Sequence, residues 1–157
     1  MRAPSRAVID LDAIRSNVAV LAERAGPAAA MAVVKADAYG HGLVPAARAA
    51  LAGGATWLGV AQATEALELR AAGIDAPVLA WLYRPDEPLD DLVRAGVDLS
   101  VSSDGALRQV LAAARATGRT ARVHVKVDTG LGRGGVPPAE LPALLDAAVA
   151  AQATGAV

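Results

Sequence analysis

Short apolar runs recur along this chain, and a longer segment with apolar residues at helical spacing follows each of them. The runs predict five strands, at residues 31–36, 57–61, 77–82, 98–102 and 122–128. The longer segments predict helices, and glycines stand where several of these helices should end: Gly53, Gly73, Gly96 and Gly118. Strands and helices are therefore expected to alternate one to one.

A further strand and helix are expected ahead of these units. The run AVID at 7–10 predicts a strand, and the segment 12–25 predicts a helix with Asp12 as its N-cap. We therefore divide the chain into an N-terminal strand and helix at 1–26 and a series of βα units at 27–157.

Single strands that alternate with single helices indicate a parallel sheet. The predicted strands start roughly 20 to 26 residues apart, an even spacing that suits a TIM-like (β/α)8 barrel. Eight such units need at least ~200 residues, and the 157 residues here hold about five units. Because a small open α/β domain is the alternative, we predict about the first five βα units of a parallel barrel.

The composition of the chain argues against several classes of function. A net charge of −1 offers no electrostatic basis for binding nucleic acid or an acidic membrane surface. The chain has no cysteine, which excludes disulfides and thiolate chemistry, and we predict no metal site. No run approaches the ~18 apolar residues of a membrane span, and no signal peptide is evident. These features predict a cytoplasmic protein that acts on a small molecule.

Lysine is rare in this chain. Of the 15 basic residues, only Lys35 and Lys126 are lysines, and the others are arginines. Arginine stays protonated in proteins, whereas lysine can lose its proton when buried, and a primary amine can then attack an aldehyde. Two lysines in an arginine-rich chain can also be incidental. The count therefore makes both residues candidates for covalent chemistry and decides nothing more.

Strand alternation places both lysines on one side of the predicted sheet. In 122–128 the three valines share one face, and Lys126 falls on the other face together with His124. Lys35 shares a face with Met31. If the valine face packs on the helices, both lysines point into the barrel near the C-terminal ends of their strands, where such folds have their active sites. For Lys126, a strand-end side chain that reaches solvent is the alternative.

A glycine-rich loop, TGLGRGG at 129–135, follows the fifth predicted strand and contains Arg133. Glycines allow close backbone approach, and an arginine in such a loop can bind a carboxylate or phosphate through two parallel N–H bonds. A flexible surface loop is the commoner origin of this pattern. His41 can equally be a loop residue, and His124 a hydrogen-bonded histidine of the interior.

Two clusters, AVVKADAYGHG on the first barrel strand and VHVKVDTGLGRGG on the fifth, resemble the alanine racemases. VIDLDAIRSNV near the N-terminus and GATWLGVAQATEALELRAAGI in the second unit are similar to the same family. The resemblance extends over essentially the whole chain, and it implies a barrel that binds pyridoxal phosphate.

The resemblance also implies roles for individual residues. Lys35 would hold pyridoxal phosphate as a Schiff base and act as the catalytic base on one face of the substrate. Tyr39 would bind the cofactor phosphate, and Arg133 would orient the substrate carboxylate. In this family Lys126 can be carbamylated, which would give Arg133 a negative neighbour. A tyrosine from the partner subunit of a homodimer would be the second base, and the D-alanine formed would serve peptidoglycan synthesis.

The chain also departs from the family it resembles. Alanine racemases are much longer and carry a C-terminal β-domain that this chain lacks, so we expect a fragment that is inactive alone. Leu131 stands where methionine is common. Three alternatives stay open: a racemase of serine or a basic amino acid, a non-catalytic carrier of pyridoxal phosphate, and a small α/β binding module without covalent chemistry.

Overall fold

A computed structural model describes residues 5–157 as alternating strands and helices. The strands are β1 (Met31–Val33), β2 (Trp57–Val60), β3 (Val78–Ala80), β4 (Asp98–Val101) and β5 (Val123–Val125). The helical segments are α1 (Leu11–Ala25), α2 (Lys35–Gly40), α3 (Leu43–Ala52), α4 (Ala63–Ala71), α5 (Asp90–Arg94), α6 (Asp104–Thr117) and α7 (Leu141–Ala153). In this described part of the chain, every helix is too short or too polar to cross a membrane.

The five strands form one parallel sheet in the order β1-β2-β3-β4-β5. Each strand therefore pairs with the next strand along the chain, as serial βα units require. β1 and β5 are the two edges of this sheet. Residues 27–157 show the predicted parallel alternation of strands and helices, except that two helical segments, α2 and α3, lie between β1 and β2.

The two faces of the sheet differ in chemistry. One face carries aliphatic side chains that are buried against the helices: Val34, Leu58, Val60, Val78, Ala80, Leu99 and Val101. On the other face a side chain at Gly59 would meet Trp81 at 2.8 Å and Met31 at 3.0 Å. His124 lies on this second face and lines a cavity there. The helix-packed face therefore holds the core, and the inner face holds the polar residues that sequence alternation assigned to it.

The expected N-terminal strand is wrong. Residues 7–10 form no strand, and Val8 is 72% exposed, because no neighbouring strand supplies hydrogen bonds to this short run. The predicted cap is also wrong. Helix α1 begins at Leu11, and the carboxylate of Asp10, not of Asp12, accepts a hydrogen bond from the N–H of Ala13 at 3.0 Å. An N-cap side chain binds the N–H two or three residues ahead, and Asp12 already lies inside the first turn.

All five strands are shorter than their predicted runs, and for β1 and β5 the structure shows why. β1 ends at Val33, because the chain enters a turn with positive φ at Ala36 that no strand can accommodate. β5 ends at Val125, and beyond it Val127 makes only an isolated bridge to Val136. Both differences fall where the chain leaves the sheet and approaches the cavity described next.

Candidate active site

A cavity of about 780 Å³ opens at the C-terminal edge of the sheet. Lys35 and Lys126 line it just beyond β1 and β5, and Arg133 lines it from the loop that follows β5. The remaining wall comes from the inner face and from residues that follow β2, β3 and β4, among them Ala61, Trp81, Ser100, Ser102 and His124. The structure therefore brings together the three cationic residues that the sequence singled out.

The residues that line the cavity carry positive charge and no negative charge. Among residues 5–157, no acidic side chain lines it, and none of Lys35, Lys126 and Arg133 forms an ion pair. The Nζ of Lys126 lies 3.6 Å from the position of a side-chain carbon at Gly134, beside Arg133. Clustered cations in a concave site attract anions, and arginine can bind a carboxylate or phosphate through two bonds. The site is therefore suited to an anionic ligand.

The backbone after Lys35 forms one turn of left-handed helix. The four residues 36–39 have φ between 52° and 59°, although none of them is glycine. Each residue in this conformation costs about 1–2 kcal/mol. Asp37 holds the end of the turn, because its carbonyl accepts from the N–H of Gly42 at 2.9 Å and its carboxylate from that of Leu43 at 2.7 Å. Strain of this kind is typical of functional sites.

The side chain of Glu65 in α4 is hydrogen-bonded to the start of the same turn. Its Oε1 accepts a hydrogen bond from the N–H of Ala36 at 2.5 Å, and its Oε2 accepts from Ala61 and Gln62, each at 2.9 Å. The bond from Gln62 forms part of a capping box at the start of α4. Sequence analysis missed Glu65. The spacing from Gln62 to Glu65 indicates the cap, but no local pattern indicates the bond to Ala36, which directly follows Lys35.

Tyr39 is an exposed residue close to Lys35. It is the last residue of the left-handed segment, and 62% of its surface is exposed. The centroid of its ring lies 5.6 Å from the Nζ of Lys35. The structure therefore places Tyr39 beside Lys35 and outside the residues that line the cavity. Its proposed contact with a phosphate stays a prediction.

Asp128 organises the loop that carries Arg133. Its Oδ1 accepts hydrogen bonds from the backbone N–H of Gly130 at 3.0 Å and of Gly132 at 3.1 Å. The bonds from Gly132 and Gly130 hold the pKa of the Asp128 carboxyl below its ordinary value of 3.8. The loop is therefore tied to the end of β5 through a carboxylate.

The same loop is closed at its base by the backbone. The N–H of Val136 donates to the carbonyl of Lys126 at 2.7 Å, and the N–H of Asp128 donates to the carbonyl of Val136 at 3.0 Å. Gly135 has a φ of +126°, and a side-chain carbon there would lie 2.5 Å from the backbone nitrogen of Asp128. Glycine is therefore required at position 135, and this close approach brings the loop back to β5.

The two histidines have structural partners. The Nε2 of His124 lies 3.0 Å from one carboxylate oxygen of Asp98, which is only 2% exposed, and Arg122 donates to the other oxygen at 2.6 Å. His124 is thus the hydrogen-bonded interior histidine that the sequence allowed. His41 lies in the loop after α2, where its Nδ1 lies 2.7 Å from the carbonyl of Ala38.

A parallel series of βα units with an amine and an arginine at its C-terminal edge defines a segment of a TIM-like barrel with a positively charged cavity. Comparison with known proteins identifies the family. The model of the family described as "Alanine racemase, N-terminal domain" matches residues 9–156. The chain belongs to this family, and it spans about 40% of the length of the curated relatives that it matches.

Individual relatives agree with that assignment. The alanine racemase of Beutenbergia cavernae is 63% identical over 157 residues, which are 100% of this chain and 42% of the relative. That of Thermobifida fusca is 60% identical over 151 residues, which are 96% and 40%. The crystal structure of alanine racemase from D-cycloserine-producing Streptomyces lavendulae superposes with a TM-score of 0.93 at 57% identity, covering 95% of this chain and 39% of that one. The predicted fold, a partial parallel barrel, is confirmed.

Proposed function

We propose that the complete protein to which this chain belongs is an alanine racemase, which interconverts L-alanine and D-alanine with pyridoxal phosphate. The observation that carries the proposal is the single cavity shared by Lys35, Lys126 and Arg133. The names of its relatives support alanine as the substrate. A role in supplying D-alanine for peptidoglycan belongs to the same proposal, and a cytoplasmic location stays a prediction.

The residues around the cavity fit pyridoxal phosphate. Lys35 offers the primary amine that an aldehyde needs for covalent attachment. Lys126 and Arg133 add positive charge, which suits a ligand with phosphate and carboxylate groups. A cavity of about 780 Å³ is also of the size that small-molecule sites have. When bound, pyridoxal phosphate supplies an electron sink that stabilises negative charge at the Cα of an amino acid.

Lys35 would hold the cofactor covalently and move the Cα proton on one face of the substrate. Inversion needs a second proton-transferring group on the other face. Tyr83 does not suit that task, since its hydroxyl donates to the carbonyl of Ser100 at 2.8 Å and burial raises its pKa to about 12. We assign the second group to a tyrosine of the partner subunit in a homodimer, on the basis of the family resemblance.

The other residues would bind and orient. The guanidinium of Arg133 would bind the substrate carboxylate through two N–H bonds, and the hydroxyl of Tyr39 would donate to the cofactor phosphate. Lys126 would support Arg133. Because two neighbouring cations repel, carbamylation of the Lys126 amine would replace that repulsion by attraction.

The test uses the complete gene product supplied with pyridoxal phosphate. L-alanine, L-serine, L-lysine and L-arginine are incubated separately, and chiral chromatography measures the appearance of each D-enantiomer. The proposal predicts the highest kcat/KM for alanine. If serine or a basic amino acid were preferred, that amino acid would replace alanine as the proposed substrate. Cofactor binding without racemisation of any amino acid would identify a carrier of pyridoxal phosphate instead.

A further inference from the structure

We propose that Glu65 is a positioning residue that holds Lys35 in place for its covalent bond to the cofactor. This inference rests on the proposed function. It concerns a side chain in a different βα unit from Lys35, and Glu65 is absent from the residues that line the cavity.

The first observation is the hydrogen bond at the start of the left-handed turn. The N–H of Ala36 belongs to the residue directly after Lys35, and the carboxylate of Glu65 accepts it at 2.5 Å. A hydrogen bond to an ionised acceptor is stronger than one between neutral groups. Glu65 therefore fixes the peptide that leads out of Lys35.

The second observation is the strain of that turn. The residues 36–39 adopt positive φ without glycine, so the left-handed turn persists only if surrounding contacts determine it. At its far end, Asp37 binds the N–H of Leu43. At its near end, the side chain of Glu65 binds the N–H of Ala36. Without that contact, the peptide after Lys35 loses its hydrogen bond to the second βα unit, and only the residue before Lys35 keeps one, from the N–H of Val34 to the carbonyl of Gly59 at 2.9 Å.

The third observation is how Glu65 itself is held. Its Oε2 accepts from Ala61 and Gln62, which directly follow β2, while Oε1 reaches Ala36. One carboxylate therefore links the ends of β1 and β2, and both of its oxygens are occupied by backbone N–H donors. An amide cannot do the same, because its nitrogen is a donor and would face one of these N–H groups. Glu65→Gln is thus a nearly isosteric change that breaks the link.

The experiment compares four variants of the complete gene product in their cofactor-free form. Glu65→Gln removes the link, and Glu65→Asp retains the charge but shortens the side chain. Ser103→Ala removes the N-cap of α6, in which the Ser103 hydroxyl accepts from Ala106 at 3.1 Å, and so reports the loss of a helix cap away from Lys35. Glu68→Gln, at an exposed position of α4, serves as the unchanged control.

Two readouts separate positioning from stability. Added pyridoxal phosphate is followed by the absorbance of its covalent bond to the protein, which gives a rate constant, and borohydride reduction with peptide mapping locates the bond. Hydrogen exchange measures protection of the Ala36 amide without cofactor. We expect Glu65→Gln and Glu65→Asp to slow attachment at Lys35 by about 10- to 100-fold, as displacements of supporting residues commonly do. Both variants should also lose protection at Ala36.

The outcomes are distinct. Slower attachment in both Glu65 variants, with wild-type rates in Ser103→Ala and Glu68→Gln, supports the proposal. An equal loss in Ser103→Ala would show that Glu65 is only a helix cap, and wild-type attachment in Glu65→Gln would overturn the proposal directly. If Glu65→Gln does not fold, Glu65→Asp decides by the same criteria. If wild-type protein itself forms no bond at Lys35, the proposed function fails first and this inference falls with it.

Discussion

Lys35 and Arg133 line the same cavity but are held by opposite kinds of backbone. Lys35 precedes a left-handed turn built from four non-glycine residues at 36–39, whereas Arg133 lies in a loop that contains four glycines. The turn is strained and is held by the side chain of Glu65 from another βα unit and by that of Asp37 within the turn. The loop adopts its positive φ values through glycine and is held mainly by Asp128 and its own backbone.

This difference in backbone indicates different roles for Lys35 and Arg133. A residue that forms and breaks a covalent bond needs one fixed position, and strain balanced by many contacts provides it. A residue that binds a carboxylate needs access to an incoming substrate, and an exposed glycine loop provides that. Disturbing the turn should therefore affect covalent chemistry, and disturbing the loop should affect substrate binding.

The largest effect is expected at Lys35. Lys35→Arg retains the charge but removes the primary amine, so the covalent cofactor bond and its absorbance should be lost. Racemisation should fall by more than the ~10²–10⁴-fold that a single acid–base group usually contributes, because two functions disappear together. Absorbance spectra and chiral assays of the complete protein check this. Retention of either signal near the wild-type value would remove Lys35 from its assigned role.

A smaller effect is expected from the glycines of the loop, and two of them form a matched pair. Gly135 and Gly130 have φ of +126° and +122°, but only at Gly135 would a side-chain carbon meet the backbone of Asp128, at 2.5 Å. Gly135→Ala should therefore destabilise the protein by about 1–3 kcal/mol more than Gly130→Ala does. It should also raise the KM for alanine. Urea unfolding and steady-state kinetics measure both quantities, and equal effects of the two substitutions would contradict the geometry.

Lys126→Arg should act on substrate binding alone. The variant keeps Lys35, so the covalent cofactor bond should persist, but guanidinium cannot be carbamylated and would place a permanent cation beside Arg133. Loss of a hydrogen bond to a charged group commonly costs 10- to 100-fold, and we expect a rise in KM within that range. A variant that loses the cofactor bond, or that keeps a wild-type KM, would not agree with this separation.

The smallest effect is expected from Asp128→Asn, and it should depend on pH. The folded state lowers the pKa of Asp128, so its carboxylate stabilises the fold above the unfolded value of about 4. That contribution is lost as pH falls through the lowered pKa. The difference in unfolding free energy between wild type and Asp128→Asn should therefore be present at neutral pH and vanish in acid. A difference that grows below pH ~4 would reverse the sign of the linkage.

The sequence predicts the sheet better than it predicts the turns at its edge. Strand alternation has a period of two, so it correctly placed Lys126 with His124 on the inner face and the valines of β5 against the helices. The parallel order follows from the regular βα spacing. Asp10 was missed as a cap because two aspartates stand near the helix start, and only the backbone geometry distinguishes Asp10 from Asp12.

The sequence predicted which cationic residues line the cavity, but not the backbone and the contact that hold Lys35. Lys35, Lys126 and Arg133 lie near strand ends, and parallel strands bring their C-terminal ends to one edge. The left-handed turn could not be predicted, because residues 36–39 contain no glycine to indicate positive φ. The contact from Glu65 to Ala36 spans 29 residues and leaves no local pattern in the sequence.

Mapping the site of cofactor attachment tests the central claim most directly. The complete protein is loaded with pyridoxal phosphate, reduced with borohydride and digested, and mass spectrometry locates the modified lysine. This chain offers only Lys35 and Lys126, and both line the same cavity. The account predicts modification at Lys35 and none at Lys126. Modification at Lys126, or at neither lysine, would contradict it.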